Sequence, residues 1–265
     1  MAILESRTKT GISWVTESVA LFRTAPRKWL LLSLTYVGLF IMLPSVPALQ
    51  LLSFISVLLW PAFLAIALAF YRNAEMEKVQ NLTVIINYIK PKIGQLIGLG
   101  GACLLYAALV SLLLNSDLQG LATLAQSKAT QPEAQMTEPQ MVEFMKKMTP
   151  LLLKLTLLLI PLMMATWFAP MLIAFNNYSL VKAIKSSIAG SLQYIVALGA
   201  AWLVLTAGIL ALMLVVGIVA GIVSSLIPTL GQMLMSLVLF SVFLVATAIM
   251  LAFQYVSYRD VFRAA

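Results

Sequence analysis

Histidine is absent from this 265-residue chain, and cysteine occurs once, at Cys103. Without histidine the commonest proton shuttle and metal ligand is missing. A lone thiol inside an apolar run has no disulfide partner and reads as a small packing residue. Charge is scarce as well: 10% of residues are charged, against about 25% in an ordinary soluble domain. The nine acidic residues all fall outside the apolar runs, which argues against proton- or cation-coupled pathways built on buried carboxylates. No glycine-rich phosphate loop, metal-ligand cluster or nucleophile with a base stands in the sequence. The chain therefore reads as non-catalytic, without a cofactor and without support for a nucleic-acid partner.

What is present is apolar length. Hydrophobic residues make up 62% of the chain, and four runs without Asp, Glu, Lys or Arg, Trp29 to Tyr71, Ile93 to Ser116, Leu155 to Val181 and Ser186 to Tyr258, hold 43, 24, 27 and 73 residues. A membrane-crossing helix takes about 20. The first run divides at Pro44-Ser45-Val46-Pro47 and the last at Pro228-Thr229-Leu230-Gly231, because clustered proline and glycine mark turns. Six spans result, at 29–46, 48–71, 95–114, 151–176, 193–226 and 231–256, in one integral membrane domain covering 1–265. The fold class is all-α and polytopic. The fifth segment would be about 51 Å long against a core of about 30 Å. It must tilt, project beyond the membrane, or break near Gly208 or Gly217.

Basic residues orient these spans. Arg7, Lys9, Arg23, Arg27, Lys28, Arg72, Lys78, Lys90, Lys92, Lys182, Lys185, Arg259 and Arg263 fall on one side. On the other, within the loop 115–150, Lys128, Lys146 and Lys147 are outweighed by Asp117, Glu133, Glu138 and Glu143. Lys154, at the outer end of the fourth span, can snorkel to head groups. Both termini are expected in the cytoplasm and the protein in a bacterial inner membrane. The first ten residues are polar and charged and do not read as a signal peptide.

A threefold pattern runs through the spans. Leu68-Ala69-Phe70, Ile173-Ala174-Phe175 and Leu251-Ala252-Phe253 close the second, fourth and sixth, with Pro47, Pro150 and Pro228 lying 23, 25 and 25 residues earlier. Before each hairpin stands a segment of helical periodicity: Ile12, Val15, Val19 and Phe22; Leu82, Ile85, Ile86 and Ile89; and Leu180, Ile184, Ile188 and Leu192 after a cap at Ser179. Three pseudo-repeats of interfacial amphipathic helix plus transmembrane hairpin are expected, at about 10–72, 79–177 and 179–258.

The residues Trp14, Ala20-Leu21-Phe22-Arg23, Pro26 and Trp29, with Phe168-Ala169-Pro170-Met171-Leu172 and Ala183-Ile184-Lys185-Ser186-Ser187, resemble a family of small, uncharacterised proteobacterial inner-membrane proteins. These are similar in layout to the membrane domain attached to some glycerophosphodiester phosphodiesterases. The resemblance implies six helices and no established activity. The phosphodiesterase catalytic domain has no counterpart in this chain.

Beside the amphipathic segments, Arg23, Arg27, Lys28, Lys90, Lys92, Lys182 and Lys185 are candidate contacts for anionic phospholipid. Gly94, Gly98 and Gly101 on the third span, and Gly217, Gly221 and Ser225 on the fifth, are candidate packing stripes that let helix backbones approach, within the chain or in a homo-oligomer. Pro61, Pro161 and Pro170 should kink their spans. Trp29, Tyr71, Tyr178, Tyr194, Tyr255 and Tyr258 are read as interface anchors. Met141, Met145 and Met148, following the capping-box spacing of Thr137 and Gln140 and close to Met136, could form a soft Cu(I) site but read better as the apolar face of a short helix.

Two classes of function remain. One is a non-catalytic protein that organises, assembles or modulates a membrane complex or its lipid environment. The alternative is a channel, transporter or lipid-handling protein for an uncharged or amphipathic substrate. Partners are membrane phospholipids, and either another membrane protein or a second copy. Convergence of Ser224, Ser225, Gln232 and Ser236 on a cavity would favour transport.

Overall fold

The computed structural model describes residues 2–78, 81–119 and 138–262. These residues are helical, with no strand among them. Six stretches are long and apolar enough to cross a membrane: Pro26–Ser45, Leu52–Glu75, Leu82–Leu113, Phe144–Asn176, Ile195–Ser225 and Met233–Phe262. The protein is an all-α polytopic membrane protein with six spans.

Local chemistry sets the element boundaries. α1, Ala2–Thr24, gives way at Ala25 to α2, Pro26–Val37, with proline in the first helical turn, where its missing donor costs nothing. A π-helical turn at Gly38–Met42 carries the first span on to Ser45, and a tight turn at Pro47–Leu49 leads into α3, Gln50–Glu75. α3 ends in a Schellman motif: Glu77 takes the left-handed conformation at φ 51°, while the amides of Glu77 and Lys78 return to the carbonyls of Ala74 and Asn73. α4, Leu82–Ile89, is capped by the Asn81 side chain on the Thr83 amide (2.9 Å) and turns through Lys90–Lys92 into α5, Ile93–Leu113.

The fourth span comprises α6, Glu138–Trp167, and α7, Ala169–Asn176, with a break at Phe168. Of the prolines expected to kink, Pro61 and Pro161 lie inside uninterrupted helices, and the break occurs ahead of Pro170. Pro150 also lies inside α6, so among the three spaced prolines only Pro47 and Pro228 stand at turns. α8, Leu180–Gln193, precedes α9, Ile195–Leu226, and α10, Pro228–Phe262. The 32 residues of α9 form one uninterrupted helix, about 48 Å long, with no break at Gly208 or Gly217.

The main core lies at the end of the bundle that carries the chain termini. Trp14, Trp29, Leu68, Tyr71, Phe168, Ile173, Phe253, Tyr255 and Tyr258 are buried together there. The three Leu/Ile-Ala-Phe triads meet in this one cluster, the buried members of each facing inward and Phe70 and Phe175 packing on its edge. Trp29 stacks on Tyr71 at 4.0 Å, and the Tyr71 hydroxyl donates to the Ala248 carbonyl at 2.9 Å. Trp29, Tyr71, Tyr255 and Tyr258 are at most 1% exposed, which corrects their reading as interface anchors. Their rings fill the junction between hairpins, and their polar tips find protein partners.

The amphipathic segments pack differently from one another. α1 lies across α9 and α10, α4 lies against α3, and α8 lies against α6 and α7. The buried positions of α1 are Gly11, Trp14, Val15 and Ser18, while Ile12 is exposed; those of α8 are Ala183, Ser187, Gly190 and Ser191, while Leu192 is exposed. On α8 the buried positions are small or hydroxylated, the pattern expected where lipid tails are as apolar as leucine and close backbone approach drives association. By contrast α4 buries Ile85 and Ile89, and α1 buries Trp14 and Val15 beside Gly11 and Ser18.

Candidate functional site

The break in the fourth span is built by a neighbouring helix. In an unbroken helix the Phe168 amide would bond the Met164 carbonyl. Instead that amide donates to the Ser187 Oγ (3.0 Å), and the Ser187 hydroxyl donates to the Met164 carbonyl (2.7 Å). The serine is inserted into the ladder, one of the recognised causes of helix kinks. The Trp167 carbonyl accepts from Gln254 Nε2 at 2.7 Å, and Trp167 Nε1 donates to the Ser257 hydroxyl at 3.3 Å. α8 and α10 thus supply the partners that an interrupted helix needs inside a membrane, where an unsatisfied backbone group costs several kcal/mol.

Above this break the second and third hairpins separate. α3 packs along α5, α9 along α10, and α2 against α10, but α6 meets α10 and α9 chiefly through Trp167. The gap is a cavity of about 410 Å³, walled by Trp60 and Leu64 of α3, Tyr36 of α2, Trp167 of α6, Trp202 of α9 and Met250 of α10. A second cavity of about 270 Å³ shares Met163, Trp167 and Trp202 with it and runs toward Ser191 and Gly199. Trp167 and Trp202 stand 6.0 Å apart between the two.

Most polar groups on the larger cavity's walls are already engaged. Thr166 and Thr247 donate to the Leu162 and Phe243 carbonyls of their own helices, Gln254 is held by Trp167, and the Tyr36 hydroxyl accepts from Trp60 Nε1 at 3.1 Å. The arrangement can hold an apolar chain, and it offers little to a polar solute. Ser236 and Ser225 are exposed, Ser225 bonded to the Ile222 carbonyl, and Ser224 abuts Gly231 at the far turn. None of the three lines a cavity described above. The Gln232 side chain lies outside the described residues.

At the termini end the helices are tied by a polar junction. Arg259 of α10 pairs with Glu17 of α1 and Glu75 of α3, and the Tyr255 hydroxyl donates to Glu75. Trp14 Nε1 donates to Asp260 at 2.8 Å, and the Tyr258 hydroxyl donates to Asn176 at the end of α7. One arginine therefore links the first, third and last helices. The sequence reading assigned these residues no joint role, because Glu17, Glu75 and Arg259 are far apart along the chain.

The sequence-derived candidates divide. Arg23, Arg27, Lys28, Lys90, Lys182 and Lys185 are exposed and Lys92 half-buried, with Lys182 over the Tyr178 ring at 4.0 Å. Among the packing candidates, Gly98 meets the Leu180 side chain and Gly101 touches that of Leu58, but Gly94, Gly217 and Gly221 have open space where a β-carbon would stand. The close crossings are elsewhere. A β-carbon at Gly11 would overlap the Ala197 carbonyl, and one at Gly100 the Leu58 backbone. Lys154, expected to snorkel, pairs with Asp117 at 2.8 Å. Met136 and Thr137, and the side chains of Gln140 and Met141, lie outside the described residues; Met145 is exposed. Comparison with protein-family models, with curated proteins and with solved structures finds no match.

Proposed function

We propose that this protein is a non-catalytic component of the bacterial inner membrane, with both termini cytoplasmic, that acts on its lipid environment by holding the apolar chain of an amphipathic molecule in the cleft between its hairpins. The observation that carries this reading is the cavity of about 410 Å³ with its aromatic wall and its few, mostly engaged polar groups. Its volume falls within the roughly 300–1,000 Å³ of small-molecule sites. The distribution of bases supports the orientation. The three triads meeting in one core support a reading of the chain as three pseudo-repeated units.

The test uses the whole protein in vesicles containing a phospholipid with a diazirine in its acyl chain. Illumination should label the segment around Met163 and Trp167 and the neighbourhood of Trp202. Ala246→Phe places a ring in the cavity and should suppress that labelling while leaving the exposed Leu105 labelled as before. Equal labelling of the cleft in both proteins would defeat the proposal.

A further inference from the structure

A separate pocket lies at the termini end, and it shares no lining residue with the cleft. Its volume is about 300 Å³, and it is bordered by Arg72, Asn73, Lys78 and Tyr88, with Ala69, Val84, Ile85 and Phe175 as the apolar part. The local sequence explains why the two bases meet. Arg72 stands in the last turn of α3, and the left-handed Glu77 reverses the chain so that the Lys78 amide bonds the Asn73 carbonyl at 2.8 Å. α4 then closes the pocket with Val84, Ile85 and Tyr88.

Arg72 is the anomalous group. Its guanidinium lies 5.0 Å from the centre of the Phe175 ring, and its Nε is buried without a hydrogen-bond partner. The nearby carboxylate of Glu75, which arginines commonly take, is occupied by Arg259 and Tyr255. Among the described residues, no acidic side chain lines the pocket. A buried donor on a charged group is costly when unpaired, and a guanidinium offers a planar fork that suits phosphate oxygens.

We infer that this pocket is a phosphate-binding site, with Arg72 as the fork, Lys78 as the second charge and Tyr88 at the rim. The chemistry fits the phosphate of a phospholipid head group and that of a soluble phosphate monoester, and the two sources are separable by experiment. This site stands apart from the acyl-chain cleft, and it differs from the exposed lysines and arginines in having a buried, unpartnered donor.

Native mass spectrometry of the full chain counts bound phosphatidylglycerol, with inorganic phosphate and glycerol 3-phosphate added as soluble competitors. The expected result is one saturable phosphate-bearing ligand whose affinity falls about tenfold or more in Arg72→Gln, the scale of a lost charge-assisted pair. Arg72→Lys, which keeps the charge and lacks the fork, should also weaken binding, and it covers the case in which Arg72→Gln fails to fold. Lys9→Gln, outside the pocket and paired with Glu5 on α1, should leave this ligand in place. Displacement by the soluble competitors assigns the site to a free phosphate, and resistance to them assigns it to a lipid. Unchanged retention of all three ligands in both Arg72 variants overturns the inference. Ala246→Phe is expected to leave phosphate binding intact, so failure of the cleft proposal and failure of this one read out separately.

Discussion

Ser187 completes the backbone of a helix to which it does not belong, taking the amide of Phe168 and returning its hydroxyl to Met164. Ser187→Ala would leave both backbone groups without that bridge at a position that is 0% exposed. The expected cost is about 1–3 kcal/mol, read as a lowered unfolding midpoint in detergent or nanodiscs. Ser191, whose hydroxyl stands 3.4 Å from the same carbonyl, can take over only part of the role, so Ser187→Ala/Ser191→Ala should fall further than either single variant. A Ser187→Ala midpoint equal to wild type would mean that the ladder closes without the serine.

Gly100 and Gly94 occupy the same helix with opposite surroundings. A β-carbon at Gly100 would collide with the Leu58 backbone, whereas Gly94 faces open space. Gly100→Ala should therefore push α5 from α3 and cost about 1–3 kcal/mol. Gly94→Ala should be neutral or gain up to about 1 kcal/mol through better helix propensity. Thermal unfolding of the two variants side by side checks the pair, and the reverse order would place the α3–α5 contact on the other face.

The spans were legible because crossing a membrane is a constraint on length and polarity, and both are written in the runs around Phe54, Leu109 and Leu214. The turns at Pro47 and Pro228 were legible for the same local reason. The packing faces were legible only in part. Apolar periodicity picks out Val15, Ile85 and Ile89, which are buried, but also Ile12 and Leu192, which face outward, and it passes over Gly11, Ser18, Ser187 and Gly190, which are buried. In lipid the apolar side need not mark the inside, so the hydrophobic pattern is a weaker guide to helix contacts. The cleft depends on Tyr36, Trp60, Trp167 and Trp202, four aromatics on four helices, and no spacing along the chain announces their meeting. Pro170 did point to the break, but the hydroxyl that stabilises it comes from 19 residues further on.

Arg259 holds two carboxylates, Glu17 and Glu75, that would otherwise share a site with no cation between them. Arg259→Gln should loosen α1 from the bundle. The side chains involved are 28%, 43% and 32% exposed, so solvent screening keeps the cost near 1 kcal/mol. Limited proteolysis across α1 together with a melting curve gives the measurement. Removing all three charges, Glu17→Gln/Glu75→Gln/Arg259→Gln, should recover part of the loss, because the damage lies in unpaired charge more than in a missing bond. A triple variant weaker than Arg259→Gln would instead show that each carboxylate has an independent role.

The orientation of the six spans rests on the basic residues, and cysteine labelling tests it. Cys103 is 8% exposed within α5, so Cys103→Ser gives a quiet background. Ser45→Cys and Thr229→Cys put thiols at the exposed turns of the first and third hairpins, and Thr130→Cys puts one in the long connection. All three should react with a membrane-impermeant maleimide added to intact cells. Ser186→Cys, on α8 at the opposite end, should react only after the membrane is permeabilised, and that second reaction also shows that its partial burial does not block the reagent. Labelling of Ser186→Cys in intact cells, with Ser45→Cys and Thr229→Cys protected, would invert the protein. The pocket at Arg72 and Lys78 would then face the outer leaflet, and the phosphate supply open to it would change accordingly.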